Sequence, residues 1–310
     1  MADKKFRLVT RSDFDGLICA VLLKEMDLIG DDIKFVHPKD MQDETVEVTE
    51  NDITTNLPYV KNVHLAFDHH LSETLRNEKA ENHIIDPNAP SAARVVYDYY
   101  GGASRFPAHW NEMMNAVDKG DAAQFTKDEI LNPNGWVLLN FLMDARTGLG
   151  RFKDFTVSNY QLMMNLIDCC RDHDIDYILQ LADVQERVKL FKEHEDAAKE
   201  QITRCSNVYG NLVVLDLRHE ETIYAVNRFM IYALYPECNI SIHVMWGLQK
   251  QNTVLAIGKS ILNRTSKTNI GELCLSYQGG GHLNAGTCQV SNDSADKALH
   301  EIVAKINADG

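Results

Sequence analysis

Short apolar runs rich in β-branched residues alternate with helical patterns at the start of the chain. Phe6–Thr10 reads as a strand, Leu17–Ile29 as a helix, and Ile33–His37 and Val63–Phe67 as further strands. This order argues for an α/β fold, a parallel sheet with helices on its faces. From Pro90 to about Cys205 the pattern turns helical, with Ser91–Tyr100, Ala108–Val117, Trp136–Asp144 and Tyr160–Cys170 as its segments. Ile175 to Arg204 is highly charged, free of Gly and Pro, and sets Ile178, Leu181, Val184, Val188 and Leu190 near helical spacing, which predicts a long connecting helix. Beyond it, Leu212–Leu217, Ile240–Trp246 and Val254–Ile257 read as strands, and Tyr224–Leu234 and Ala295–Ile306 as helices. The prediction is an N-terminal parallel-sheet domain with a helical extension over 1–177, a linker helix over 178–205 and a smaller α+β domain over 206–310.

Length agrees: 310 residues at about 150 per domain give two domains, each able to bury a core. With 31 Lys+Arg against 45 Asp+Glu the net charge is −14, which disfavours a broad basic surface for long duplex nucleic acid but leaves room for a short anionic substrate at a local positive site. Seven cysteines lie scattered without Cys-x-x-Cys spacing and read as thiols of a reducing cytoplasm. The apolar stretch Leu17 to Leu23 stops at Lys24 and Glu25, short of the ~20 residues a membrane span needs. A small-residue cleavage site is also missing, so neither a membrane span nor a secretory signal is expected.

Chemistry concentrates where predicted strands end, since loops at the carboxyl edge of a parallel sheet converge on one crevice. After the first strand comes Arg11-Ser12-Asp13-Phe14-Asp15-Gly16, two carboxylates suited to a hard divalent ion. Alone, such a segment is commonly a turn or helix cap. After Val63–Phe67 comes Asp68-His69-His70, whose imidazoles favour Mn²⁺ or a similar first-row ion over Ca²⁺. Their joint occurrence at neighbouring strand ends is what favours a metal site. Near the C-terminus, Gly279-Gly280-Gly281-His282-Leu283-Asn284-Ala285-Gly286 offers backbone N–H groups to a phosphate or carboxylate. The chain has no nucleophile-elbow serine, Walker-type loop or His-Glu-x-x-His.

Together, Asp13-Phe14-Asp15-Gly16, Asp68-His69-His70 and the late Gly-Gly-Gly-His resemble the DHH phosphoesterase superfamily with its C-terminal DHHA1 domain, over essentially the whole chain. Within it the chain most resembles the exopolyphosphatase-like branch, alongside relatives that degrade oligonucleotides and 3′-phosphoadenosine 5′-phosphate. The resemblance implies two bound ions, usually Mn²⁺, with Mg²⁺ or Co²⁺ as substitutes, and the departures described below leave one or two expected in this chain. Asp13 and Asp15 fall on its first motif, His69 on the metal-binding position of the third and His70 on a position facing the substrate phosphate. Asp121, four residues before Phe125, fits the fourth motif, with Asp118 as its alternate. Asp15, His69 and His70 thereby become the expected catalytic residues. Gly279, Gly280, Gly281, His282 and Asn284 would hold the substrate's far end, aided by Lys259 or Arg264, with Arg228 a weaker candidate.

Two positions depart from the family pattern. Many relatives carry His just before the first aspartate pair, where this chain reads Val9-Thr10-Arg11. Asn56 stands where the bridging carboxylate of the second motif belongs, and Asp52 is the nearby acid available to substitute. A neutral amide bridges two cations poorly, so the better metal site is expected around Asp15, His69 and Asp121. Arg11 is read as a substrate-phosphate contact or as an exposed loop residue.

The expected function is hydrolysis of phosphoester bonds in short oligonucleotides or nucleotides by metal-activated water. A polyphosphate substrate is the alternative, opposed by the −14 charge, and a weakened nucleotide-binding protein is the third reading. A homodimer is expected only from the general preference for two-fold assemblies.

Overall fold

The computed structural model describes residues 4–310. Its first sheet has five parallel strands, β1 (Phe6–Arg11), β2 (Ile29–Val36), β3 (Asp52–Thr55), β4 (Leu65–Asp68) and β5 (His83–Ile85), in the order β2-β1-β3-β4-β5. The helices running with it are α1 (Phe14–Glu25), α2 (Pro38–Gln42), α3 (Leu71–Arg76), α4 (Ala92–Tyr99) and α5 (Asn111–Asp121). Helices α6 (Lys127–Leu131), α7 (Gly135–Met143), α8 (Asn159–Asp172), α9 (Ile175–Gln180) and α10 (Ala182–Cys205) follow.

Two compact units result among the described residues: 4–125 with 133–190, and 126–132 with 191–310. Helix α1 is the centrepiece of the first, with every residue from Phe14 to Leu23 buried. A helix apolar on all sides is a core helix, and α4, α5 and α8 pack around it. Strand order reverses at β1, whose neighbours β2 and β3 lie on opposite sides. The loops after β1 and β3 therefore open at a topological switch point, the usual ligand position in such sheets.

The second unit holds a six-stranded mixed sheet, order β10-β11-β9-β8-β7-β6, built from β6 (Ser206–Tyr209), β7 (Leu212–Asp216), β8 (Ile240–Trp246), β9 (Thr253–Lys259), β10 (Gly280–His282) and β11 (Ala285–Val290). With it run α11 (Met230–Leu234), α12 (Ile270–Leu275) and α13 (Ala295–Asp309). Ile240, Ile242, Val244, Leu255 and Ile257 of the sheet bury against Ile302 and Ile306 of α13.

Three expectations change. The long helix over 175–204 is interrupted at Leu181, whose extended ψ of 135° ends α9 before α10 begins. The helix expected over Tyr224–Leu234 forms only as α11, because its first residues take side-chain partners instead. Tyr224 N–H donates to Gln201 Oε1 and Ala225 N–H to His194 Nδ1, while Asn227 Nδ2 donates to the Ile130 carbonyl. The Gly-Gly-Gly-His segment is the edge strand β10, paired with β11 through Gly280↔Thr287 and His282↔Ala285, and not a free loop.

Candidate metal centre

The chain leaves β1 through Arg11 and Ser12 and enters α1 at once, with Asp13 as the N-cap accepting the Gly16 N–H at 3.0 Å. The turn is tight: a Cβ on Gly16 would stand 2.0 Å from the Arg11 carbonyl oxygen. Asp15 therefore lies in the first turn of α1 and is 2% exposed. Its two oxygens accept the N–H groups of Ala92 at 3.0 Å and Ala93 at 2.8 Å, the opening amides of α4. A helix N-terminus normally favours a carboxylate. Here burial, joined by the Asp121 charge, prevails and pushes Asp15 up to about 7.

His69 follows β4. Its Nδ1 lies 3.2 Å from the Ala89 carbonyl, an arrangement that places the proton on Nδ1 and leaves Nε2 as the lone-pair nitrogen. Nε2 is buried, lacks a hydrogen bond, and stands 2.9 Å from Asp121 Oδ2. Two lone pairs at that distance repel unless a proton or a cation lies between them. Without a metal the proton serves: burial opposes the imidazolium, but the Asp121 carboxylate outweighs it and raises His69 to about 9. Asp121 shifts the opposite way, burial being overcome by His69.

Ligand atoms of Asp15, His69 and Asp121 all lie within 4.8 Å of one another. Two more buried acceptors at the same sheet edge lack hydrogen-bond partners, Asn56 Oδ1 after β3 and Asp68 Oδ2 at the end of β4. Asn56 occupies the left-handed region at φ 55°, and its Nδ2 makes a long 3.5 Å contact with Asp13 Oδ1. Unpaired buried acceptors are costly, and a cation is what this donor set lacks. Carboxylate, amide oxygen and imidazole together fit a first-row divalent ion.

Neighbouring groups are charged in the same scheme. Asp13 Oδ2 pairs with Arg11 Nε at 2.8 Å, and burial pushes Asp13 upward against that cation. His70 Nδ1 lies 2.7 Å from Asp68 Oδ1; burial disfavours its charge, but Asp68 holds its pKa above the ordinary value.

The two alternates lie elsewhere. Asp118 accepts Ser91 Oγ at 2.7 Å and Arg94 Nε at 3.0 Å, fastening α5 to the start of α4. Asp52 begins β3, at the strand's opposite end from Asn56, and pairs with Arg7 Nε at 2.7 Å. Neither joins the cluster. In the second unit, Lys259 Nζ donates to the Ser266 carbonyl and Arg264 Nε to that of Ile261, while Gly280 to His282 and Asn284 are exposed. Arg228 lies over the Phe229 ring, 4.1 Å from its centroid.

One cation escaped the motif reading. Gly120 of α5 lies so close to Asn140 of α7 that a Cβ would meet its Nδ2 at 1.7 Å. One turn on, Asp144 turns the chain into a short 3-10 segment and holds Arg146 Nε at 2.7 Å. Arg146 thus comes within electrostatic reach of Asp13 and Asp121. Only the packing of α7 on α5 reveals it.

No family model and no curated protein matches the chain. Among solved structures, the pGpG-specific phosphodiesterase PggH of Vibrio cholerae is 65% identical, covers 99% of this chain and 100% of its own, and superposes with a TM-score of 0.86. The chain belongs to the DHH phosphoesterase superfamily. RecJ of Thermus thermophilus in complex with Mn²⁺ is 13% identical over 98% of this chain and 52% of its own, with a TM-score of 0.55. CDC45 of Entamoeba histolytica is 9% identical over 97% and 96%, with a TM-score of 0.51. These two share the fold. As a DHH phosphoesterase the chain is a hydrolase, and the α/β architecture with its second sheet is that of the DHH and DHHA1 pair. Among the described residues, no helix is long and apolar enough to cross a membrane.

Proposed function

We propose that this DHH phosphoesterase is a divalent-metal-dependent phosphodiesterase acting on short oligonucleotides, with the dinucleotide pGpG as its substrate. The observation that carries the metal reading is the convergence of ligand atoms of Asp15, His69 and Asp121 within 4.8 Å of one another, with the unpaired Asn56 Oδ1 and Asp68 Oδ2 at the same sheet edge. The identity with PggH, 65% over essentially the whole chain, supports the dinucleotide. Asp15, Asn56, His69 and Asp121 would hold the ion, which when bound supplies an acidified water and charge neutralisation at phosphorus. Mn²⁺ is favoured by the imidazole in the set, with Mg²⁺ and Co²⁺ as the comparison ions.

The chain's own residues do the rest. The α4 amides fix the aim of Asp15, and Ala89 fixes the tautomer of His69. Asp68 holds the His70 pKa above its ordinary value, which favours a charged imidazole suited to a substrate phosphate oxygen. Arg11 and Arg146 add positive charge near Asp13. In the second unit, Gly279, Gly280, Gly281, His282 and Asn284, with Lys259 and Arg264, would receive an anionic group on an exposed backbone strand.

The test is hydrolysis by metal-stripped protein with Mn²⁺, Mg²⁺, Co²⁺ or chelator, on pGpG, longer oligonucleotides, 3′-phosphoadenosine 5′-phosphate and polyphosphate. The expected result is Mn²⁺-dependent conversion of pGpG to mononucleotides, lost in Asp15→Ala protein of native circular dichroism. Turnover in chelator, or none on any substrate by folded protein, would overturn the proposal. Phosphate release from polyphosphate alone would replace it with the phosphoanhydride reading.

A further inference from the structure

We propose that the centre takes one divalent cation per chain, and that Arg11 with Asn56 fills the place a second ion would need. This rests on the metal-dependent reading above and narrows it.

The argument begins with Asp13, a half-buried carboxylate two residues from Asp15 that does not join the three-ligand cluster. Both its oxygens are turned to donors of this chain. Oδ1 accepts the Gly16 N–H at 3.0 Å and faces Asn56 Nδ2 at 3.5 Å, and Oδ2 takes Arg11 Nε at 2.8 Å. A carboxylate at position 56 would set two anions face to face, an arrangement stable only with a cation between them. The amide instead turns an N–H toward Asp13. Its Oδ1, on a residue 1% exposed, is left buried without a partner, available to a cation on that side.

Charge balance points the same way. Asp13, Asp15 and Asp121 bring three negative charges when ionised. Arg11 supplies one positive charge and a single divalent ion supplies two, which neutralises the cluster. Arg146 is paired with Asp144 and stays outside this count. A second divalent ion would leave an excess of two positive charges in a largely enclosed site, costly where the dielectric is low. Guanidinium also matches a carboxylate or phosphate without requiring an imidazole ligand at position 11.

The experiment counts ions in the full-length, metal-stripped chain. Isothermal titration with Mn²⁺ gives the stoichiometry, and electron paramagnetic resonance distinguishes an isolated Mn²⁺ from a spin-coupled pair. The expected result is one ion per wild-type chain with an uncoupled spectrum. In the double variant Arg11→Ala/Asn56→Asp, the expected stoichiometry doubles and the spectrum shows coupling. Two ions per wild-type chain would overturn the one-ion centre while leaving metal-dependent hydrolysis standing. No bound ion would overturn both. One ion bound without hydrolysis of any substrate would sink the proposed function alone. Should the double variant fail to fold, the wild-type count still decides the number of ions.

Discussion

Binding of the proposed ion at this centre must be coupled to proton release, and the size of the effect follows from two side chains. Asp15 is pushed up to about 7 by burial and the Asp121 charge, and His69 is raised to about 9 by Asp121 against burial. A cation needs the carboxylate ionised and Nε2 unprotonated, so binding below pH 7 displaces two protons, between 7 and 9 one, and above 9 none. Between pH 6 and 8 affinity should therefore rise on the order of 10³-fold, roughly 4 kcal/mol at about 1.36 kcal/mol per decade. The three groups titrate as a unit, so the slope of log Kd against pH is the quantity to measure. Titration calorimetry with Mn²⁺ in buffers of different ionisation enthalpy yields both the slope and the protons released. An affinity that changes by less than about tenfold over this range, with no proton release, would refute the reasoning. Folding of the metal-free chain should respond in the opposite sense. Both folded pKa values lie above the unfolded ones, so their stabilising contribution is full below those values and is lost as pH rises through about 7 and then about 9. The melting temperature gained on adding Mn²⁺ should accordingly widen from pH 6 to pH 8.

Other outcomes are equally specific. Asp121→Asn should abolish Mn²⁺ binding in calorimetry, whereas Asp118→Asn should retain it and lose about 1–3 kcal/mol of stability through its partly buried bond to Arg94, measured by urea unfolding. Gly16→Ala drives a methyl into the Arg11 carbonyl and should cost about 3 kcal/mol or more in the same assay; a loss under about 0.5 kcal/mol would contradict the close approach. In the β10 segment, Gly280 has open space where a Cβ would stand, while Gly279 and Gly281 would meet backbone oxygens at 2.3 Å. Gly280→Ala should therefore leave the melting temperature unchanged, and Gly279→Ala and Gly281→Ala should lower it; equal effects at all three would argue against the strand pairing. Arg146→Ala should reduce kcat/KM for pGpG about tenfold or more without changing Mn²⁺ stoichiometry, since it removes a cation within electrostatic reach of Asp13 and Asp121 where the proposed substrate would bring negative charge.

The parts of this molecule that were legible in the sequence are those governed by short-range pattern. The strands at Phe6 and Ile240 and the helix at Ala295 follow from local periodicity, Asp13, Asp15 and His69 stand just past or near predicted strand ends, and Asp121 is picked out only by the family resemblance. The remainder depends on long-range partners. Residues 224–228 have a helical composition, yet Gln201 and His194 offer their backbone better-placed acceptors. Asp52 and Asp118 look like ligands until Arg7 and Arg94 are found beside them. Glycines 279–281 suggest a loop because glycine is rare in strands, but at a sheet edge Gly279 and Gly281 are what allow β11 to approach so closely. Arg146 carries no local signal, since its position depends on Gly120 meeting Asn140 across two helices.

The grip of α4 on Asp15 divides the centre into a part held by main chain and a part held by side chains. Its donors are main-chain amides, which owe nothing to side-chain chemistry at Ala92 or Ala93, although both alanines are fully buried and admit nothing larger without overpacking. Only proline would remove a donor, and at Ala92, the first helical position, it would take away a single N–H while keeping the helix. The orientation of this carboxylate is thus inherited with the backbone. Arg11 and Asn56, by contrast, contribute through side chains alone, and one codon change at either can alter the charge of the centre without redrawing the fold. Differences in metal content between proteins of this architecture would then arise at these two positions far more readily than at the aspartate held by α4.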